Sequence, residues 1–319
     1  MIVERATSSS SEERQGAAPF ALLLARQRSG TGALGSILDV QPALKYLGEI
    51  FHPDNLEREE NFFRFLRFRV GEDLDAALPQ SGPELFDAYI AEQRARYPGC
   101  LLIIDVKYRS LHHLGGGWRG LVEAPWILRH AAACGAPIIH LTRNNFVESF
   151  VSGRLAEANR VWHARSAEEA RVTSTVVDIR ALSHYIETTR EEVALVERWL
   201  QAIPKLRAET IDYGTLFDRS GALDETIANR LASLLGVAAF RDRQPRFVKQ
   251  APRLEHAVEN LALLRTALSG TPHAWMVKPA TAESPPRPRE RTAAGTPEEK
   301  PKVSSAVPHQ GPPVATHGA

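Results

Sequence analysis

Apolar residues fall along this chain in two kinds of pattern. The first is the short unbroken run. Residues 20–25 (Phe20, Ala21, Leu22, Leu23, Leu24, Ala25), 100–106 and 136–142 are each of strand length and apolar at nearly every position, as in strands buried on both faces. Residues 206–213 form a weaker strand candidate, and residues 173–179 a β-rich connection. Residues 43–54 are a short apolar segment with one acid, Glu49, inside it and a stop at Pro53. The second pattern is the amphipathic stretch of helical period. It predicts helices beginning at residue 33 (Ala33, Leu34, Ile37, Leu38) and over 56–70, 84–97, 122–134, 147–162, 181–203, 223–235 and 254–268. Strands alternating with helices predict an α/β fold: a parallel sheet with helices on both faces, its ligands beyond the carboxyl ends of the strands.

Composition bounds the domain and its setting. Residues 1–18 are polar and residues 271–319 are rich in Pro, Ala, Thr and charge, so both read as disordered tails around one domain at 19–270. By that reading a chain of residues 18–271 should keep the stability of the whole. Lys plus Arg number 39 and Asp plus Glu 38, a net charge of +1 that gives no global argument for nucleic-acid or membrane binding. The opening residues lack the apolar core of a signal peptide, and no run approaches the roughly 18 apolar residues of a membrane span. Two cysteines, Cys100 and Cys134, each beside apolar residues, argue against a disulfide framework and for a reducing cytoplasm.

The candidate chemistry starts where the first run ends. Residues 26–32 (Arg26, Gln27, Arg28, Ser29, Gly30, Thr31, Gly32) form a polar loop between strand and helix. Such a loop aims backbone N–H groups and a helix N-terminus at one point, which suits an anion. Gly30 and Gly32 permit close approach, and Arg28, Ser29 and Thr31 add donors. It is not a nucleotide-triphosphate P-loop, because Ala33 stands where that motif needs a lysine after its second glycine. It is not a hydrolase elbow either, because Gln27 replaces the first glycine of Gly-x-Ser-x-Gly. A second candidate lies after the run at 136–142, where Arg143 ends a strand and Ser152 follows on the next helix.

The residues Arg28, Ser29, Gly30 and Thr31 resemble the 5′-phosphosulfate loop of the sulfotransferase superfamily, which uses PAPS (3′-phosphoadenosine 5′-phosphosulfate) as sulfuryl donor. Leu141, Arg143 and Asn145, with Ser152 downstream, resemble its 3′-phosphate segment, most closely that of the bacterial carbohydrate and nodulation-factor type. Residues 211–216 stand where members carry Tyr-Glu-x-Leu, with Gly214 in place of the acid. Residues 247–250, followed by Glu259 and Asn260 in the last helix, resemble a Lys-Gln segment that closes over the nucleotide, so Lys249 is a candidate for the 3′-phosphate. The resemblance covers residues 19–270 and implies a single-domain P-loop-like fold, PAPS as co-substrate, PAP (3′-phosphoadenosine 5′-phosphate) as product and a carbohydrate or glycolipid acceptor.

It also implies roles. Ser29, Gly30, Thr31, Gly32 and Ala33 would contact the 5′-phosphosulfate, and Arg143 and Ser152 the 3′-phosphate. Arg28 takes the place of a lysine in many members; a guanidinium stabilises charge but delivers no proton. Lys107, just past the strand at 100–106, would help hold the sulfate. For the base that accepts the hydroxyl proton, Glu49 comes first. Residues 48–52 resemble the Glu-containing segment of the trehalose-sulfotransferase type, and Ile50 and Phe51 beside it suggest an apolar setting. His112 and His113 are the alternatives. No metal site is expected, since adjacent histidines do not aim two imidazoles at one ion and the cysteines lie far apart in sequence. A P-loop-like kinase and a non-catalytic nucleotide- or anion-binding protein are the rival readings.

Overall fold

The structure, a computed structural model, describes residues 18–78, 81–114, 123–160, 173–246 and 253–278. Its centre is β1 (Phe20–Ala25), in which all six side chains are fully buried. Four further strands complete an all-parallel sheet: β2 (Leu44–Gly48), β3 (Leu101–Lys107), β4 (Ile138–Thr142) and β5 (Ala208–Asp212), in the order β2-β3-β1-β4-β5. Helices cover both faces, so the α/β parallel architecture read from the hydrophobic runs is the one the chain adopts. All the described elements belong to one compact unit.

The alternation along β1 explains why both faces are covered. Phe20, Leu22 and Leu24 face one layer, packed with α2 (Phe62–Glu72), α3 (Gly82–Arg96) and α4 (Trp126–Ala133). Ala21, Leu23 and Ala25 face the other, packed with α1 (Thr31–Leu38) and α7 (Glu225–Leu235). A strand with apolar residues at every position has no polar face to show water, so each side needs a helix layer. A third cluster joins α5 (Phe146–Asn159), α6 (Ile179–Ala202), α8 (Leu254–Ala257) and α9 (Leu261–Leu268). Among the described residues no helix is long and apolar enough to cross a membrane.

Several predicted boundaries move, each for a local reason. The helix expected over 56–70 starts at Phe62, because the Asn61 side chain accepts a hydrogen bond from Arg64 N–H and caps it there. The connection at 173–179 forms no strand among its described residues; Thr175 makes one isolated bridge with Val258. That bridge also breaks the helix expected over 254–268 into α8 and α9. Asn260 lies in the break and not in a helix, where its amide accepts from Val177 N–H at 2.9 Å and donates to Val177 C=O at 2.8 Å. The packed chain also runs beyond residue 270. Ala274–Val277 form a 3₁₀ turn in which Met276 and Val277 are buried, with their carbonyls accepting from Asn145 and Arg265.

Two outcomes follow from this packing. A chain of residues 18–271 should melt lower than one of residues 18–278. Burial of Met276 and Val277 is worth about 1.5–3 kcal/mol each, so the gap should be at least about 5 °C by calorimetry; equal melting temperatures would show that the turn adds nothing. The second concerns His140, fully buried on β4, with Nε2 2.5 Å from Tyr108 Oη and Nδ1 3.2 Å from Thr210 Oγ1. Burial pushes its pKa down to about 4 from 6.5. The unfolded chain therefore binds the extra proton first as pH falls, so stability is retained above pH 6.5 and lost progressively toward pH 4. Urea unfolding should show a loss of about 3 kcal/mol over that window attributable to this side chain, and His140→Asn should flatten the profile.

Candidate anion-binding site

β1 hands the chain to α1 through a loop held in unusual backbone conformations. Arg28 is left-handed at φ 66° and Gly30 at φ 91°. The Gly30 position tolerates no side chain: a Cβ there would lie 2.2 Å from Cε2 of Tyr213, whose ring closes over the loop. α1 begins at Thr31 with no side chain capping its N-terminus and no acid in its first turn. The N–H groups of Thr31, Gly32 and Ala33 thus have no acceptor within the helix and stand at the positive end of its dipole. On the other side of α1, Gly35 passes so close to Tyr46 on β2 that a Cβ would meet the ring at 2.4 Å.

Strand register brings a cation to this loop. Ala25, the last residue of β1, pairs with Lys107, the last residue of β3. Lys107 is not past the strand end in solvent but 3% exposed. Its Nζ donates to Thr31 Oγ1 in the loop and to both oxygens of Asp105 at 2.8 Å, and lies 3.4 Å from Glu49 Oε1. Asp105, itself 1% exposed, also accepts from the Tyr46 hydroxyl at 2.8 Å. Burial first, and then the charge of Asp105, holds the Tyr46 phenol well above its ordinary pKa, so it stays a donor. Glu49 does not sit in the expected apolar setting. Ile50 and Phe51 turn into the core, while the Glu49 carboxylate faces Lys107 and is 26% exposed.

The second cation arrives from the other neighbour of β1. Leu141 on β4 pairs with Ala25, which sets Arg143 two residues beyond the level of Ala25 and one beyond the end of β4. Its Nη1 donates to the Arg28 carbonyl at 3.1 Å and its Nη2 to Glu148 on α5 at 2.8 Å, and its guanidinium lies 4.8 Å from the centre of the Tyr213 ring. Arg143 Nε is buried without a partner among the described residues, as is Thr189 Oγ1 on α6. Both residues line a cavity of about 10 Å³ behind the loop, together with Arg26, Ser29, Thr142 and Ser149. That is room for about one water molecule. Ser152, expected with Arg143 at the 3′-phosphate, is held by Arg28: its Oγ accepts from Nη2 at 2.9 Å and Nε at 3.2 Å. Burial, and then the charge of Arg143, lowers the pKa of Arg28, so two guanidinium groups of like charge are held side by side.

Most of the expected residues therefore converge: the loop at 28–33, Lys107, Glu49, Arg143 and Ser152 form one locus at the carboxyl ends of β1, β3 and β4. Among the described residues, His112 meets the Arg109 carbonyl, and His113 packs against Phe63 at 5.0 Å and against His112. Burial, and then the neighbouring His112, draws His113 below the usual histidine range. Lys249 lies outside the described residues. Four participants are missing from the expected set: Asp105, Tyr46, Glu148 and Tyr213. Asp105 had a signal, as the one charge inside an apolar strand run. Tyr213 had one too, as the tyrosine of the segment likened to Tyr-Glu-x-Leu. Tyr46 and Glu148 look ordinary in sequence and gain their place only from the sheet order.

This arrangement can hold a tetrahedral oxyanion at the α1 N-terminus and a second anion at Arg143, with a carboxylate nearby to accept a proton. The buried Lys107–Asp105 pair should also be a stability element. Lys107→Met leaves Asp105 charged and buried, and urea unfolding should show a loss of about 3–5 kcal/mol. Adding Asp105→Asn should recover part of it. If the double variant is no more stable than the single one, the pair is not the cause.

No protein-family model matches the chain, and no curated protein is similar to it. Among solved structures it is similar to the sulfotransferase domain from the curacin biosynthetic pathway, at 15% identity and a TM-score of 0.38 over 70% of this chain and 75% of that one. It is also similar to the sulfotransferase domain of the Synechococcus PCC 7002 olefin synthase, at 15% identity and a TM-score of 0.38 over 78% of this chain and 87% of that one.

Proposed function

We propose that this chain is a sulfotransferase that moves a sulfuryl group from PAPS to a hydroxyl of a carbohydrate or glycolipid. One observation carries the reading: Arg28, Lys107 and Arg143, from the ends of three neighbouring strands, meet at the uncapped N-terminus of α1. The residues fit a donor with two anionic ends. The first-turn N–H groups of α1, with Ser29 and Thr31, hold the 5′-phosphosulfate. Arg143, whose Nη2 is held by the partly exposed Glu148, takes the 3′-phosphate. The carbohydrate or glycolipid acceptor rests on the likeness of Leu141, Arg143 and Asn145 to the bacterial carbohydrate type.

In this reading the acceptor oxygen attacks sulfur in line, and the bond from sulfur to the 5′-phosphate oxygen breaks. Negative charge builds on that phosphate oxygen, where Lys107 and Arg28 stabilise it at no cost in reorganisation, because the fold already fixes them. Glu49, 3.4 Å from Lys107, accepts the hydroxyl proton. Lys107 has a double duty: Asp105 and Glu49 hold it in place, and its ammonium links the base to the anion site. Arg143 is shared with Glu148, so an incoming phosphate competes with that carboxylate for the guanidinium.

Native mass spectrometry of the chain with PAP, ATP and NAD, followed by labelled transfer from PAPS to an acceptor glycan panel, tests this. Binding of PAP with label transfer supports it. Preference for ATP would favour a kinase, and PAP binding without transfer a nucleotide-binding protein. Arg143→Ala should weaken PAP by roughly 10- to 150-fold, the worth of a charge-assisted hydrogen bond. It should leave adenosine 5′-phosphosulfate, which lacks the 3′-phosphate, much less changed. Equal losses for the two ligands would remove Arg143 from the 3′-phosphate.

A further inference from the structure

A second cluster of chemically capable side chains lies at the opposite end of β1. His130 on α4 and Cys134, the C-cap of that helix, are four residues apart and share a face. Asp87 approaches from α3. His130 Nε2 lies 2.8 Å from Asp87 Oδ1 and 3.6 Å from Cys134 Sγ, and one donor atom from each of the three residues falls within 4.8 Å of the others. Both contacts converge on the same ring nitrogen. A nucleophilic relay would divide them, with the thiol on one nitrogen and the acid on the other. Three donors of different chemistry gathered at one point instead outline the face of a coordination polyhedron.

The His130–Cys134 edge suits a tetrahedral zinc site. With bonds of about 2.3 Å to sulfur and 2.0–2.1 Å to nitrogen, the S···N edge is about 3.5 Å, against the observed 3.6 Å. The N···O edge of about 3.4 Å asks Asp87 to swing outward by about 0.6 Å from the observed 2.8 Å, and its side chain is 59% exposed. The imidazole is already oriented. It stacks on Phe20 at 6.2 Å with an interplanar angle of 8° and meets Phe86 and Trp126 edge-on, leaving the side chain only 15% exposed. On binding, the thiol proton leaves to solvent as sulfur takes the metal.

We propose that Asp87, His130 and Cys134 form a three-ligand site for a borderline-soft divalent cation of the zinc type, with the fourth position taken by water. Mixed S, N and O ligation selects this class over magnesium or calcium. The site joins α3 to α4 at the start of β1, roughly 17 Å, one strand length, from the anion loop. It acts as a staple between helices and takes no part in group transfer.

Cobalt(II), which reports thiolate ligation through a charge-transfer absorption band, tests this on the full reduced chain. One equivalent should bind with the band present, and zinc should displace it. Cys134→Ser should abolish the band and Cys100→Ser should keep it. Asp87→Asn, at an exposed position that leaves the fold intact, should weaken binding by at least about tenfold. Zinc at a hundredfold excess over its Kd should raise the melting temperature by roughly 5–10 °C, and not in Cys134→Ser. A wild-type chain that binds no cobalt, or binds it without the band, reduces the cluster to a His130–Asp87 ion pair beside a thiol. A band that survives Cys134→Ser overturns the assignment as well.

Discussion

The pairing of β1 with β3 on one side and β4 on the other is the constraint on which the site depends. Ala25 lies opposite Lys107 and Leu141 at once. The loop that follows Ala25 is therefore flanked by a lysine from one neighbour and, two residues further on, by an arginine from the other. A slip of one residue in either pairing would turn the apolar set of a strand to the wrong face. With both faces of β1 buried, that error is heavily penalised, so the hydrophobic layers fix the geometry of the charges.

The charges in turn constrain the loop. Lys107 is almost out of solvent and is held by Asp105, Glu49 and Thr31, while Asp105 is held by Tyr46 as well. In a low-dielectric interior such a network is favourable only when nearly every member is satisfied. It ties β2, β3 and the first turn of α1 together at one point. The Arg143 side of the loop is built differently: its guanidinium is shared between a backbone carbonyl and Glu148, and one nitrogen has no partner among the described residues. A rigid cationic point beside a cation held by an exchangeable partner suits a ligand with one reacting and one anchoring anion.

α6 braces the locus from outside the sheet. Arg26, the first loop residue, pairs with Glu192 at 2.6 Å and lies over the Tyr185 ring at 4.3 Å, and the Tyr185 hydroxyl meets Ser149 on α5 at 2.9 Å. These contacts join a loop, a long helix and the helix that carries Ser152. They also enclose the small cavity behind Ser29. At the far end of β1, the aromatic packing around Phe20 orients His130, so the same strand organises two separate sets of polar groups.

The sequence by itself determined four of the five strands, most of the helices and the place of the anion loop; β2 read only as a short apolar segment. These are local consequences of period and of turn chemistry: a six-residue apolar run can only be a buried strand or a short piece of buried helix, and glycine marks where the backbone must bend. It also picked out Arg28, Arg143, Ser152, Lys107 and Glu49 as chemically capable. Which of them touch is another matter. Ser152 proves to be held by Arg28, and the expected apolar setting of Glu49 gave way to an ion pair with Lys107. Tyr213, 183 positions from Gly30 in sequence, covers it in space. Pairings of that kind are set by strand order, register and the paths of crossover helices, which no local pattern encodes. The break at Val258 had the same origin, since a long-range bridge outweighed helical period. Only the tertiary structure decided that Asp105 is the anchor of the site, because the worth of a buried carboxylate depends on the partners that the fold brings to it.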